Sequence, residues 1–452
     1  MLTFINKYKP EYTARSKEFF ALSTPIFLEQ TFVVLLGIAT TVMVSRVGDY
    51  SLPAASMIES ITNLISAFFA ALTIGSTIVV AQYTGRSEHG KASGVAAQAL
   101  LLAAFFGVIF CVFLATFRVQ VIDLLFSRAD YGVILDARLF LGITAFSFPA
   151  MAIMMTSFGI LRGSGNTRAP MGITIIINIV NVVLGLILIR NFGVAGAAFA
   201  LVISRYIGAV LGALYIVIKS TRIRFSGIKD FYPNIAIQKV ILGLGIPTSI
   251  ESGTFQMGKL LITIFMAGMG TAAIGANAIV NSFAGILNAP GSAFSTGTTI
   301  LVGQRIGRGE TEDVRKTTYF SVVAAMIMLL FLCLLTFFLT GPLLSIYHTT
   351  DEMLVILRPV LITLFIATPI AWPASFVTPA AVRATGDVKY TMVVAIASMV
   401  FVRIALAWFL GVYLGLGILG IWFSMYADWV VRGALFINRI RSGKWKGKGI
   451  VR

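Results

Sequence analysis

The chain has 452 residues, of which 58% are hydrophobic and only 12% are charged. Soluble domains carry roughly a quarter charged residues, so this composition excludes an ordinary soluble protein. Its net charge of +17 would suggest a nucleic-acid partner in a soluble chain. The sequence contains no nucleic-acid recognition motif, however, and we expect no nucleic-acid partner. Apolar runs long enough to span a bilayer recur without strict alternation, which predicts an all-α, polytopic membrane protein.

In chain order, residues 1–19 form a basic segment that we expect to be retained at the cytoplasmic surface. Residues 20–218 form a first lobe of six spans (TM1–TM6), residues 219–238 a polar cytoplasmic linker, and residues 239–437 a second lobe (TM7–TM12). A basic cytoplasmic tail, 438–452, ends the chain. The twelve predicted spans are 20–47, 52–82, 93–117, 133–160, 169–190, 194–218, 239–268, 274–303, 317–340, 355–381, 390–413 and 417–437.

Basic residues are concentrated in the loops on one predicted side of the membrane. With an even number of spans the two termini share that side with Arg86, Lys91, Arg162, Arg168, Lys219, Arg222, Arg224, Lys229, Arg305, Arg308, Arg315, Lys316, Arg383 and Lys389. By the positive-inside rule that side is the cytoplasm. We therefore expect a multi-pass protein of the inner (cytoplasmic) membrane with both termini inside the cell.

A proline followed four residues later by a glutamate occurs twice, as Pro25 with Glu29 and as Pro247 with Glu251. Each residue of the second pair follows its counterpart by 222 positions. Proline frees a helix carbonyl and kinks the helix, so we predict kinks at both prolines. A kinked helix can line a wet cavity, and this is a place where a carboxylate is tolerable.

Longer segments extend the repeat. "GSTIVVAQYTGR" (75–86) matches "GTTILVGQRIGR" (297–308) at the same offset, and "LRGSGNTR" (161–168) matches "VRATGDVK" (382–389) at an offset of 221. The chain is thus two copies of one six-span unit. Because six is even, the copies are parallel repeats, a plan that recurs in transporters with binding sites near mid-membrane.

Glu251 and Glu29 are our candidates for coupling a cation. A charged side chain at mid-bilayer costs roughly 3 kcal/mol, and protonation removes that charge, so such an acid can carry a proton. The alternative is that both acids only form hydrogen bonds with neighbouring helices or lie near the interface.

Several segments resemble the multidrug and toxic compound extrusion (MATE) family. They are "ILRGSGNTRAPM" (160–171), the ends of the second and eighth spans, and "LGILGIWFSMYADWVVR" (416–432). The resemblance covers essentially the whole chain. It implies twelve helices in two lobes that form a V, and efflux of organic, often cationic, compounds by alternating access, driven by inward flow of H⁺ or Na⁺.

The sequence departs from the family where its prokaryotic members carry acids. Thr40 and Gly185 stand where many members have aspartates, although Asn181 of the fifth-helix pattern is kept. If the N-lobe couples an ion, Glu29 or Glu59 must replace the missing acids. Family members often have an acid on the seventh helix about one turn beyond Glu251, so Glu251 is similar in role and not in position.

Other charges fall inside the predicted spans. Lys259 lies two helical turns after Glu251 and is able to neutralise it, and Arg403 has either Glu251 or Asp428 as its partner, or else an anionic substrate. Asp428 and Arg432 are expected to form a local salt bridge. We expect Arg162 and Arg383 to anchor loops at lipid headgroups. The candidates for contact with substrate are Asn181, Asn281, Asn288, Gln256, Lys259 and Arg403.

These observations favour a monomeric, cation-coupled antiporter that exports organic, cationic or amphipathic compounds, with the bilayer, a small-molecule substrate and a coupling H⁺ or Na⁺ as its partners. The alternative is a flippase or exporter of a lipid-linked or anionic solute, favoured by Lys259 and Arg403. We expect no enzymatic activity, since metal-binding and triad motifs are absent from the sequence. Cys111 and Cys333 suggest neither a disulfide framework nor a metal site, and no cofactor is expected.

Overall fold

The computed structural model describes residues 2–44, 47, 50–126, 129–345, 347 and 350–450. Throughout this part of the chain the regular structure is helical and no strand occurs. The expected all-α, polytopic fold class is therefore confirmed.

Thirteen α-helices make up most of the described chain. They are α1 (Leu2–Val44), α2 (Ser51–Gly85), α3 (His89–Phe126), α4 (Tyr131–Thr144), α5 (Phe148–Gly163), α6 (Arg168–Lys219), α7 (Ile235–Ala267), α8 (Thr271–Gly307), α9 (Thr311–Phe338), α10 (Thr340–Leu344), α11 (Asp351–Ala384), α12 (Val388–Ala397) and α13 (Gly417–Arg441). Short 3₁₀ turns occur at Ala145–Ser147 and Ile228–Phe231, and π-helical segments at Ser398–Ile404 and Ala407–Tyr413.

Each of the twelve predicted spans has a helical counterpart. Helices α4 and α5 together form the fourth span, and α12 with the two π-helical segments forms the eleventh. The fifth and sixth spans both lie in α6, which is interrupted at Gly193, where φ is +56°. That left-handed conformation is one that glycine adopts without a steric penalty. Nine helical stretches in the described residues are long and apolar enough to cross a membrane.

The chain forms two compact units whose boundaries lie inside α1 and α7. The N-unit is Leu28–Ser249, and the C-unit combines Met1–Phe27 with Ile250–Arg452. The predicted lobes were instead divided at the linker, residues 219–238. The two boundaries are 222 residues apart, which is the offset of the sequence repeat. The first helix of each repeat therefore begins in the unit of the other repeat and continues into its own.

Close packing at a glycine holds the exchanged part of α7 in the N-unit. A Cβ atom placed on Gly75 of α2 would lie 2.7 Å from the backbone oxygen of Ile241 and 3.2 Å from the backbone nitrogen of Gly245. In the C-unit the repeat-equivalent Gly297 of α8 faces Ser23 of α1. The sequence match between 75–86 and 297–308 thus includes the glycines against which the exchanged helix ends pack.

Gly75→Ala is expected to lower the melting temperature of the purified protein. Its methyl group would meet backbone atoms of α7, which cannot rotate away, and overpacking of this kind costs about 1–3 kcal/mol. Gly243→Ala on α7 is the matched control, because nothing lies within 4 Å of a Cβ there. Equal melting temperatures for the two variants would contradict this packing.

Each unit has its own apolar core. The N-unit core contains Phe69, Leu141 and Phe148, all at most 1% exposed. In the C-unit, Phe283 and Trp372 belong to a corresponding cluster that joins α8, α9, α11 and α13.

Candidate functional site

Glu29 is buried in the N-unit and paired with an arginine. It is only 3% exposed, and its Oε1 accepts a hydrogen bond from Nη2 of Arg162, in the last turn of α5. The second carboxylate oxygen, Oε2, is buried and has no hydrogen-bond partner in the described structure. One oxygen of this carboxylate thus has unused capacity to accept a hydrogen bond.

Glu251 repeats this arrangement in the C-unit. Its Oε1 accepts a hydrogen bond of 3.0 Å from Nη1 of Arg383, in the last turn of α11. Its Oε2 is likewise buried without a hydrogen-bond partner among the described residues. Lys259 is therefore not the residue that neutralises Glu251.

The two pairs are equivalent in the repeat, since Arg162 and Arg383 occupy matching positions of the aligned segments. The prediction that these arginines anchor loops at lipid headgroups is wrong. Their side chains are mostly buried and bind the two acids. Each glutamate lies just beyond the residue at which α1 or α7 enters the unit of its own repeat. The ion pair therefore attaches α1 to the N-unit and α7 to the C-unit.

A second buried charge cluster lies in the C-unit around Asp428 of α13. Asp428 is 0% exposed and accepts a hydrogen bond from Ser398. Its Oδ2 lies 3.8 Å from Nη1 of Arg432, which confirms the predicted local pair, and 4.0 Å from Nη1 of Arg403. Of the two acids considered for Arg403, Asp428 is the one it approaches. A single carboxylate faces two guanidinium groups.

A cavity of about 480 Å³ lies within the C-unit. It brings together four of the predicted substrate contacts, which are Lys259, Asn281, Asn288 and Arg403. Asn277 also lines it, and its Oδ1 accepts a hydrogen bond of 3.2 Å from Nε1 of Trp422. The cavity therefore has amide groups, cationic groups and an aromatic wall.

A known protein family matches both repeats of the chain. The family model described as MatE matches residues 25–187 and, a second time, residues 247–409. Together these segments cover more than half of the chain, and they repeat the 222-residue offset. This chain belongs to the MatE family. The resemblance to MATE efflux transporters is thereby confirmed.

Relatives along almost the whole chain agree with a MATE efflux transporter. The chain is 29% identical over 437 residues to "Uncharacterized transporter YisQ" of Bacillus subtilis, covering 95% of each protein. It is 26% identical over 451 residues to "Probable multidrug resistance protein NorM" of Thermotoga maritima, covering 98% of this chain and 96% of the relative. The fold is similar to a solved structure described as "Outward-facing conformation of a multidrug resistance MATE family transporter of the MOP superfamily", with a TM-score of 0.88, 20% identity, and coverage of 96% of this chain and 97% of that one.

The N-unit residues at the usual acid positions of MATE proteins lie close together. Oγ1 of Thr40 donates a hydrogen bond of 3.4 Å to Oδ1 of Asn181, which is therefore committed to a neighbouring helix. A Cβ on Gly185 would lie 3.0 Å from Cε of Met43, so a thioether occupies the space beside it. The described side chains at this place contribute no carboxylate.

The remaining predicted residues lie apart from these groups. Glu59 on α2 and Gln256 on α7 are both exposed, and Gln256 does not line the C-unit cavity. Pro25 and Pro247 lie within α1 and α7, and the kinks there remain a prediction. Sequence reasoning missed Arg162 and Arg383 as partners of the acids, although the repeat offset relates both pairs.

Proposed function

We propose that this MATE-family efflux transporter is an antiporter that couples export of amphipathic organic compounds to entry of H⁺ or Na⁺ by alternating access. It acts as a monomer in the cytoplasmic membrane, with both termini inside the cell. The observation that carries the proposal is the repeated pair, Glu29 with Arg162 and Glu251 with Arg383, in which each acid keeps one buried oxygen without a hydrogen-bond partner.

A buried carboxylate with a free oxygen is suited to binding a small cation. Leaving a buried acceptor unsatisfied costs about 1–3 kcal/mol, so a proton or a Na⁺ ion that reaches this oxygen gains a site. Binding also weakens the attraction between the acid and its arginine, because the negative charge is then shared or removed. Ion binding and the strength of the Glu–Arg pair are therefore linked.

That link gives the ion a mechanical effect. Glu29 and Glu251 are the first acids after α1 and α7 enter the units of their own repeats, and the arginines that hold them belong to those same units. Weakening a pair loosens the attachment of its helix at this boundary. A ligand shifts a conformational equilibrium only through its different affinities for the two states, and the free carboxylate oxygens supply such a difference.

The names of relatives along the whole chain, such as a probable multidrug resistance protein, do not favour the alternative of a flippase or exporter of a lipid-linked or anionic solute. The cargo is instead a small organic compound. Methionine side chains repack around ligands of different shapes, and Met266 and Met425 line the C-unit cavity. This lining suits a transporter that accepts more than one compound.

Efflux measured under separate ion gradients tests the proposal. The purified protein is reconstituted in phosphatidylcholine vesicles, and transport of a fluorescent amphipathic dye is followed with only a proton gradient, only a sodium gradient, or neither. We expect transport against the dye gradient under one of the two ion gradients and not in their absence. Equal transport under all three conditions would overturn ion coupling.

Glu59→Gln is expected to leave gradient-driven efflux unchanged. Glu59 is exposed on α2, and the described structure shows no ion pair for it, unlike Glu29 in the same unit. Exposed substitutions away from such contacts usually change stability by less than about 0.5 kcal/mol. Loss of proton- or sodium-driven transport in this variant, with normal expression and melting temperature, would make Glu59 the coupling acid of the N-unit.

A further inference from the structure

We infer that the C-unit cavity is an oxyanion site that binds the acidic group, most simply a carboxylate, of an amphipathic organic compound. This inference rests on the proposed efflux function and specifies its cargo. The cavity lies between α7, α8, the π-helical segment Ser398–Ile404 and α13, and its volume of about 480 Å³ falls in the range of small-molecule sites.

The charge of the lining is the first argument. Lys259 and Arg403 both line the cavity, and no acidic residue is found among its described lining residues. Both cationic groups also approach one aromatic ring, with Nζ of Lys259 at 5.2 Å and Cζ of Arg403 at 5.1 Å from the ring centroid of Phe255. Two like charges held beside one ring repel each other, and an anion between them relieves that repulsion.

Unsatisfied donors on Arg403 are the second argument. Arg403 is only 6% exposed, yet its Nε and Nη1 have no hydrogen-bond partner in the described structure. Its nearest acid, Asp428, is 4.0 Å away and is shared with Arg432. Nη1 faces Oδ2 of Asp428, which also lacks a hydrogen-bond partner, but their distance of 4.0 Å is beyond hydrogen-bond reach. Nε has no described acceptor at all. Nine-tenths or more of buried polar groups have a hydrogen-bond partner, so this guanidinium can accommodate a further acceptor. A carboxylate is the acceptor that matches a guanidinium fork.

The repeat shows that the fold does not require the lysine. The residue 222 positions before Lys259 is Gly37, and nothing lies within 4 Å of a Cβ built there. The same helix of the first repeat is thus formed without a cation. Arg403 lies in a π-helical segment, and such segments are frequent at functional sites.

The rest of the lining suits the body of the ligand. Trp422 supplies an aromatic surface, and Asn281 and Asn288 add amide groups to the lining. Isoleucine and methionine side chains complete the wall. The arrangement fits an aryl or polycyclic acid whose ring stacks on the indole and whose carboxylate reaches the two cations. A quaternary ammonium group in the same place would meet two fixed positive charges and be rejected.

Binding of three matched probes tests this inference. Radiolabelled naphthaleneacetate, the neutral naphthaleneacetamide and naphthylmethyltrimethylammonium are titrated onto the full-length protein in phosphatidylcholine nanodiscs, with empty nanodiscs as background. We expect the carboxylate to bind about tenfold or more tightly than the amide, because a hydrogen bond to a charged group is worth at least a factor of this size. The ammonium probe should bind least.

Variants at one position then locate the site. Lys259→Gln should remove most of the preference for the carboxylate, Lys259→Arg should keep it, and Lys259→Glu should shift the preference towards the ammonium probe. Lys239→Gln, at an exposed lysine of the same helix outside the cavity, is the matched control and should bind like the wild type. Equal binding of the three probes, or a preference that survives Lys259→Gln, would overturn the inference.

Two further arms identify the occupant and separate the hypotheses. If phosphatidylglycerol in the nanodisc displaces naphthaleneacetate from the wild type, and Lys259→Gln abolishes this competition, the oxyanion site stands with a lipid headgroup as its occupant. Binding is measured without any ion gradient, so it does not depend on coupling. Lys259-dependent binding without ion-driven efflux would overturn the proposed function alone, whereas ion-driven efflux without selective binding would overturn this inference alone.

Discussion

Replacing Glu251 with glutamine is expected to reduce gradient-driven efflux to the level of protein-free vesicles. Glutamine has nearly the same volume as glutamate, and its carbonyl oxygen can still accept the hydrogen bond that Arg383 donates to Oε1 at 3.0 Å. It carries no negative charge and no titratable proton, and its neutral carbonyl oxygen attracts Na⁺ more weakly than a carboxylate does. The substitution therefore removes proton binding and weakens Na⁺ binding, while the contact geometry can be retained.

The measurement is dye efflux from proteoliposomes under an imposed proton or sodium gradient, with the melting temperature of each variant recorded in parallel. Glu310→Gln is the matched control, because Glu310 lies between α8 and α9 and its side chain is exposed. Glu251→Asp keeps the acid and is expected to retain part of the activity. Wild-type efflux by a well-folded Glu251→Gln variant would remove this acid from the coupling mechanism.

Glu29→Gln in the same assay tells whether both repeats couple an ion. Glu29 forms the equivalent contact with Arg162 and has the same free Oε2. If both acids couple, each single variant loses ion-driven efflux. If only the C-unit couples, Glu29→Gln retains it, and the N-unit pair is then an anchor for α1.

The sequence predicted the helices and the repeat because both depend on local signals. Hydropathy marks the spans, and the Pro–Glu pairs at 25 and 29 and at 247 and 251 fix the offset. Partners of buried charges are a different matter, because they depend on which helices are neighbours. The cytoplasmic predictions for Arg162 and Arg383 used the positive-inside rule, which describes loops, whereas both side chains lie on the last turn of a helix and turn towards an acid.

The exchange of helix ends could not be predicted for a related reason. A count of spans assigns a whole helix to one lobe, but α1 and α7 each change units between residues that no polar linker marks. Gly75 and Gly297 show how the exchange is made, since the absence of a side chain lets the helix of the other repeat come close. The repeat aligned these glycines correctly, but it carried no information on what they contact.

The predicted substrate residues divide in a similar way. Lys259, Asn281, Asn288 and Arg403 share one cavity although α7, α8 and the π-helical segment are distant in the sequence. Asn181 is instead used for a hydrogen bond with Thr40. An asparagine in a predicted span thus correctly indicated a polar contact. The sequence does not distinguish an asparagine that bonds a neighbouring helix from one that faces a cavity.

Asp428→Asn is expected to destabilise the protein by about 3–5 kcal/mol, the usual cost of removing one partner from a buried ion pair. Asp428 is 0% exposed and is the acid that both Arg403 and Arg432 approach. Asparagine fits the space and still accepts a hydrogen bond from Ser398, so neither a void nor a lost bond explains the effect. What remains is two guanidinium groups in an apolar interior without a counter-charge.

Thermal unfolding of the purified protein in detergent measures this effect, and two further variants identify its cause. Ser398→Ala removes one hydrogen bond from the same carboxylate and should cost only about 1 kcal/mol. Adding Arg403→Gln to Asp428→Asn should restore part of the lost stability, since one of the uncompensated cations is then removed, and the double-mutant cycle measures the coupling directly. Additive losses in that cycle would show that Asp428 does not compensate the charge of Arg403, and the guanidinium in the C-unit cavity would then be held by other contacts.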